Sequence, residues 1–80
     1  MTPDEVRSFN EELNAAYRQT FATPMGKRVL TDLVGYCHGR KTTFDADQRQ
    51  HAFKEGQRDV FMRICEFINL TPEEIYQLRK

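Results

Sequence analysis

Thr23-Pro24-Met25-Gly26-Lys27-Arg28-Val29-Leu30 sets the reading of the whole chain. A threonine hydroxyl can accept a hydrogen bond from an orphaned N–H of a first helical turn. Proline has no N–H to orphan and is well tolerated at the first helical position. The dipeptide recurs at Thr2-Pro3 and Thr71-Pro72, so one chemical device marks three helix starts. Two of them complete a capping box, Thr2 with Glu5 and Thr71 with Glu74. Asp4, Glu5, Glu73 and Glu74 add negative charge at the positive end of the helix dipole. A fourth start, with an acidic cap, reads at Asp45 with Gln48 after Thr42-Thr43-Phe44.

Behind each start the apolar residues recur at helical intervals. A first helix over about 3–20 places Val6, Phe9, Leu13, Ala16 and Tyr17 on one face and Glu5, Glu12 and Gln19 opposite. A second, about 24–37, carries Met25, Val29, Leu30, Leu33, Val34, Tyr36 and Cys37, a broad stripe that implies two packing partners. Gly39 reads as its left-handed terminator. A third, about 46–68, puts Phe53, Val60, Phe61, Ile64, Phe67 and Ile68 on one broad side, continued by Ala52 and Gly56. Asn69 reads as its left-handed stop, with Leu70 folding back on the last turn. A fourth, about 72–80, has Ile75 and Leu78 as anchors and is too short to stand without docking. The pattern predicts an all-α fold: one small compact four-helix domain over 1–80, three longer helices plus a short C-terminal one, with a connection at about 39–45.

Composition bounds what such a domain does. Twelve Lys and Arg cancel twelve Asp and Glu, which argues against nucleic-acid or membrane binding driven by bulk charge. An apolar content of 39% is too high for a disordered tail, and no window reaches the run of about 18 apolar residues that a membrane span needs. The first twenty residues hold Asp4, Glu5, Glu11 and Glu12 and no apolar core, so no secretory signal is expected. Cys37 and Cys65 make no disulfide framework and point to a reducing, intracellular setting.

The stretch from Gly35 to Thr43 is the richest in reactive groups. Zinc accepts the ligand types of Cys37, His38, His51 and Cys65, but there is no C-x-x-C and Cys37 adjoins His38, so no metal is expected. A Cys37–His38 nucleophile would sit at a helix C-terminus, whose negative partial charge opposes a thiolate. Met25-Gly26-Lys27-Arg28 lacks the second glycine, the Ser or Thr and the preceding strand of a phosphate loop. Gly26 instead permits close packing against an aromatic such as Phe21 or Phe44. No catalytic residue, no metal and no cofactor are expected.

Charge is unevenly spread. Residues 1–20 carry a net of minus two, residues 21–63 plus three and residues 64–80 minus one. Lys27, Arg28, Arg40, Lys41, Arg49 and Arg58 would form a face able to meet phosphate or an acidic protein surface. Intrahelical pairing of Glu55 with Arg58 and of Asp59 with Arg63 is the plainer reading, and the preferred one. A helix-turn-helix reader is disfavoured, because the third helix is too apolar to lie exposed in a groove.

Phe21-x-Thr-Pro-x-Gly-Lys-x-Val-Leu-x-Asp-Leu, then Phe53-x-Glu-Gly-x-Arg, Ile64 and Leu70-Thr-x-Glu-Glu, resembles the Bbp19-like small proteins of tailed bacteriophages and prophages, found among head and tail gene clusters. The likeness spans roughly residues 17–70 and rests most on the glycine-containing helix start from Thr23 to Val29 and on the Glu55-Gly56-x-Arg58 turn of the third helix, with Thr23, Pro24, Gly26, Phe53 and Gly56 as its structural motif residues. None of these is catalytic. Glycine inside a helix costs roughly 1 kcal/mol against alanine. Gly56 is therefore expected where the second helix, near Gly26 or Gly35, crosses the third, with Arg58 covering the crossing or bridging to Glu55 or Asp32. On that reading Gly56→Leu lowers the melting temperature sharply.

The resemblance implies a non-enzymatic phage protein, a virion assembly or structural accessory factor. It would bind other phage structural proteins or itself, without a membrane, in the host bacterial cytoplasm or the virion. The competing expectation is a nucleic-acid-associated regulatory or DNA-contacting module using the basic segment 27–58.

Overall fold

A computed structural model describes residues 1–79 of the 80-residue chain. Four helices follow one another, α1 (Pro3–Ala22), α2 (Pro24–Tyr36), α3 (Gln48–Ile68) and α4 (Pro72–Gln77), and no strand is present among the described residues. The all-α four-helix domain read from the sequence is the one observed.

All three Thr-Pro pairs start helices, but of the two capping boxes expected only the one at Thr71 is complete. The hydroxyls of Thr2, Thr23 and Thr71 accept from the N–H groups of Glu5, Gly26 and Glu74. At Thr71 the carboxylate of Glu74 also takes the Thr71 N–H at 3.1 Å, completing the box, whereas Thr2 makes its half of the pair. Thr23 serves two helices at once: its Oγ1 accepts from Gly26 N–H at 3.0 Å and donates to the Thr20 carbonyl at 3.1 Å. One residue therefore turns α1 into α2.

The start of α3 corrects the sequence reading. The cap is Asp47, whose carboxylate accepts from the N–H groups of Arg49 and Gln50. Asp45 sits a turn earlier, accepts from Asp47 N–H at 2.9 Å and holds Lys54 Nζ at 3.1 Å, so the helix begins two residues later than expected. These two donors hold the Asp45 carboxyl below its ordinary range, the backbone N–H contributing most.

The end of α2 is a second correction. The left-handed residue is His38 (φ 59°), not Gly39. His38 N–H donates to Gly35 O at 3.2 Å and Gly39 N–H to Val34 O at 2.9 Å, the paired bonds of a Schellman stop. Gly39 is needed for space: a Cβ there would stand 2.8 Å from Phe61 Cε2 and 3.0 Å from Val34 Cγ2. Asn69 (φ 58°) does terminate α3 in the left-handed region, and Leu70 N–H returns to Cys65 O at 3.1 Å.

The core is small. Leu30, Val34, Cys37, Phe61, Cys65 and Ile75 are buried, with Phe21, Leu33, Met62, Ile64, Ile68, Leu70 and Tyr76 packed around them. Ile75 anchors α4 as expected, while Leu78 remains 38% exposed and Lys80 lies outside the described residues. Helix α2 lies between α1 and α4, as its broad stripe implied. Helix α1 buries no residue. Its last turns meet α3, where the Tyr17 ring stacks on Phe67 (centroids 4.3 Å apart, planes within 7°) and Arg18 Nε donates to Phe67 O at 3.3 Å.

Toward their N-termini, α1 and α3 leave apolar side chains bare. Val6 and Phe9 on α1, and Phe53 and Val60 on α3, stand in solvent although their spacing had marked them for the core. The outline follows: extents of 46 × 34 × 15 Å and a radius of gyration of 14.8 Å, against about 12 Å for a closely packed chain of this length. Accessible surface is 6120 Å², where a folded monomer of 9.5 kDa exposes about 5,000 Å².

Candidate protein-interaction surface

The reactive groups between Cys37 and Thr43 are spent on holding the chain. His38 Nε2 donates to Gln57 Oε1 at 3.0 Å, and His51 Nδ1 donates to the Thr43 carbonyl at 3.0 Å. Arg58 donates to two backbone carbonyls, His38 O at 3.3 Å and Lys41 O at 3.1 Å, tying the α2–α3 connection to the side of α3. It makes no bridge to Glu55 or Asp32 and covers no helix crossing. The expected Asp59–Arg63 pair is likewise not what Arg63 makes; its guanidinium lies 5.0 Å from the Phe67 ring centroid. Among the described residues the ion pairs are Arg40–Glu73 at 2.6 Å and Lys54–Asp45 at 3.1 Å.

Both thiols are buried and neutral. Burial pushes the Cys37 thiol up, helped by the nearby charge of Asp32, and pushes the Cys65 thiol up to about 11. A raised folded-state pKa keeps the proton on, so Cys65 supports folding fully below the ordinary thiol range. That contribution is lost as pH rises through about 11. Native protein at neutral pH is therefore expected to react slowly with a thiol reagent at both cysteines and quickly once urea unfolds it. Fast stoichiometric labelling of the folded chain would contradict the burial. Among the described residues, no three His, Cys, Asp or Glu side chains are grouped to hold a metal ion.

The six cations singled out in the sequence divide. Lys27 and Arg28, on the first turns of α2, share a shallow cleft with Leu78 and Arg79. Arg40 and Lys41 border a cleft with Tyr76. Arg40 lies 3.5 Å and Arg79 4.0 Å from the Tyr76 ring centroid, so the ring is flanked by two guanidinium groups and ties these cations together around α4. The carboxylate of Glu73 holds Arg40 and raises its already high pKa. Arg49 stands apart at the start of α3, and Arg58 is the clamp described above. Four of the six are thus gathered about α4, with Arg79 added to them.

The glycines separate equally clearly. Gly26 is buried against the end of α1, where a Cβ would overlap the Thr20 carbonyl oxygen and stand 2.8 Å from Phe21 Cα. The expected close approach to Phe21 is thus made to its backbone. Gly35 and Gly56 have open space, with nothing within 4 Å of an added Cβ. The predicted crossing of α2 over α3 at Gly56 does not occur.

Gly56 belongs instead to an exposed stripe. Phe53, Gly56, Val60, Ile64 and Phe67 succeed one another at steps of three and four, about a third of a turn round α3 from Phe61 and Cys65. Phe67, at one end, is covered by Tyr17; Phe53 and Val60 are 63% and 61% exposed. Helix α1 presents the matching stripe of Val6, Phe9, Leu13 and Tyr17, in which Phe9 is 55% exposed. Periodicity had found both stripes; the structure shows which of their side chains internal packing leaves bare. A further apolar cavity of about 270 Å³ lies where Phe21, Leu30, Ile68, Leu70 and Leu78 converge, with Arg18 and Lys27 at its rim; no sequence pattern pointed to it.

The chain is thus a small all-α domain with buried thiols and bare apolar stripes on two helices. Over residues 17–80 the sequence matches the family described as Bbp19-like phage protein. The chain belongs to that family. No curated protein and no solved structure shows a significant match. No helix among the described residues is long and apolar enough to cross a membrane.

Proposed function

We propose that this phage protein is a non-enzymatic virion assembly or structural accessory protein that works by binding other proteins through the apolar stripes of α1 and α3. The observation that carries the proposal is the exposure of Phe9, Phe53 and Val60 on helices whose other faces pack at home. Exposed apolar surface of this extent is a cost to an isolated soluble chain and marks a contact site. Family membership supplies the setting, since the partners of a phage protein include the components of the particle. The side-chain chemistry supports a binding role too: burial raises the pKa of both thiols, and both imidazoles are engaged in local hydrogen bonds.

The test is to follow the protein through a lytic or induced cycle and probe purified particles and assembly intermediates for it. It is expected in one or both, and removing its gene is expected to reduce finished particles. A protein absent from both, with particles forming normally without it, would defeat the proposal.

A second reading has one observation in its favour. Arg40 and Arg79 lie over the Tyr76 ring, Lys41 borders the same cleft, and Lys27 and Arg28 share a neighbouring cleft with Arg79, a mixture of cations and an aromatic that suits a nucleic-acid backbone. It requires DNA affinity that falls steeply with salt and is lost in the Lys27→Gln/Arg28→Gln variant. Affinity unaffected by that change would remove it.

A further inference from the structure

We infer that the occupant of the bare stripes is a second copy of this chain, the N-terminal half of α1 in each copy lying along α3 of the other about a two-fold axis. The inference rests on the protein-binding reading above and names one partner for it.

Area is the first argument. The chain exposes 6120 Å², about 1,100 Å² more than the roughly 5,000 Å² of a folded monomer of its mass. A stable interface removes about 800 Å² from each partner. The surplus is thus the amount that one standard contact would cover. Continuity is the second. Within one chain, α1 already lies on the α3 stripe where Tyr17 stacks on Phe67. The same two stripes run on, uncovered, to Val6 and Phe9 on one helix and to Val60 and Phe53 on the other. A two-fold pair extends that internal seam across the interface, and each copy supplies both halves, as an isologous contact requires.

Charge complementarity is the third. Exposed Glu5 and Glu12, read from spacing as opposite the α1 stripe, stand only about a quarter of a turn from its centre and so border it, seven residues apart on one side. Exposed Arg49 and Arg63 lie along the stripe of α3, Arg63 over the Phe67 ring, with the acids Asp59 and Glu66 farther round on that flank. Acid therefore meets base when α1 of one copy lies on α3 of the other, whereas α1 on α1 sets acid against acid. Gly56 gains a role in this arrangement. It lies between Phe53 and Val60 with open space above it, the position at which an incoming helix can come closest.

Size-exclusion chromatography with light scattering at tens of micromolar is expected to give twice the 9.5 kDa chain mass. Phe9→Asp and Val60→Asp change exposed positions, and each is expected to return the mass to that of one chain with an unchanged circular dichroism spectrum. A charge exchange then identifies the occupant. Glu5→Arg/Glu12→Arg and Arg49→Glu/Arg63→Glu are each expected to be single chains alone and to pair when mixed, since only the mixture restores opposite charges at both contacts. A wild-type chain of single mass overturns the inference, as does a double mass that survives both aspartate substitutions. The outcomes separate this inference from the proposed function. A single chain that is still recovered with particles leaves assembly standing with another occupant. A pair that never meets particles leaves the pairing standing and removes the assembly role.

Discussion

Phe61→Ala is expected to remove most of the folding free energy of this domain and bring it to the edge of unfolding at room temperature. Phe61 is fully buried at the meeting point of α2, α3 and the connection between them, with its ring edge against the bare Cα of Gly39 and the methyl groups of Val34 close by. Truncating a buried phenylalanine costs about 3–5 kcal/mol, because the transfer term and the cavity term add. A chain of this length holds about 4–12 kcal/mol in total. Among the described residues it has only six buried apolar ones, three of them fully buried, which places it toward the lower end. The loss therefore removes most of the folding free energy. Urea unfolding followed by circular dichroism reads it directly, and Phe53→Ala is the control. Phe53 lies eight residues earlier on the same helix and is 63% exposed, so its truncation is expected to stay within about 0.5 kcal/mol of wild type. Equal losses at the two positions would mean that the core is not where the structure places it.

Gly26→Ala is the second large effect, and its sign is opposite to that of Gly56→Ala. At Gly26 the added methyl overlaps the Thr20 carbonyl oxygen and crowds Phe21 Cα. These are backbone atoms of the preceding helix, joined to α2 through the single residue Thr23, so no rotamer change relieves them. The angle between α1 and α2 must open, which also strains the Tyr17–Phe67 stack that seats α1 on α3. Overpacking of this kind costs about 2–3 kcal/mol. For a domain of this size that is a fall in melting temperature of about 10–20 °C. At Gly56 the methyl enters open space on an exposed helical face. There it is expected to raise stability by about 0.5–1 kcal/mol through the helix propensity of alanine, measured at concentrations where the chain is single. A Gly56→Ala variant that melts well below wild type would restore the internal crossing expected from the sequence.

These contrasts locate what the sequence could and could not convey. Caps are local chemistry, so Thr2, Thr23, Thr71, Asn69 and the fold-back at Leu70 were all readable. Where two local solutions compete, the reading slipped. Asp45 and Asp47 are both competent caps, and only the ion pair of Asp45 with Lys54, nine residues on, decides between them. Gly39 looked like a backbone device, but the left-handed turn falls on His38 and the glycine serves the ring of Phe61, a contact 22 positions away in the chain.

The candidate surface was hidden for a different reason. Spacing reports that Val6, Phe9, Phe53 and Val60 share faces with core residues; it does not report whether another helix of the same chain arrives to cover them. No helix among the described residues covers them. Helix α1 lies on α3 only at its C-terminal end, and α4 is taken up by α2. The basic residues were left between a binding face and local pairing, with pairing preferred; the fold engages Arg58 with two carbonyls and Arg40 with Glu73, partners distant in the chain that spacing does not report.

The claim at the centre of this account is that the bare apolar stripes are the working surface of the protein. The most direct measurement is the yield and composition of particles from the phage carrying Phe53→Asp/Val60→Asp in this gene, with the purified variant melting as wild type does. The account predicts a folded protein and a marked loss of finished particles. Normal particles in normal number, made with the folded variant as the sole copy, would contradict it.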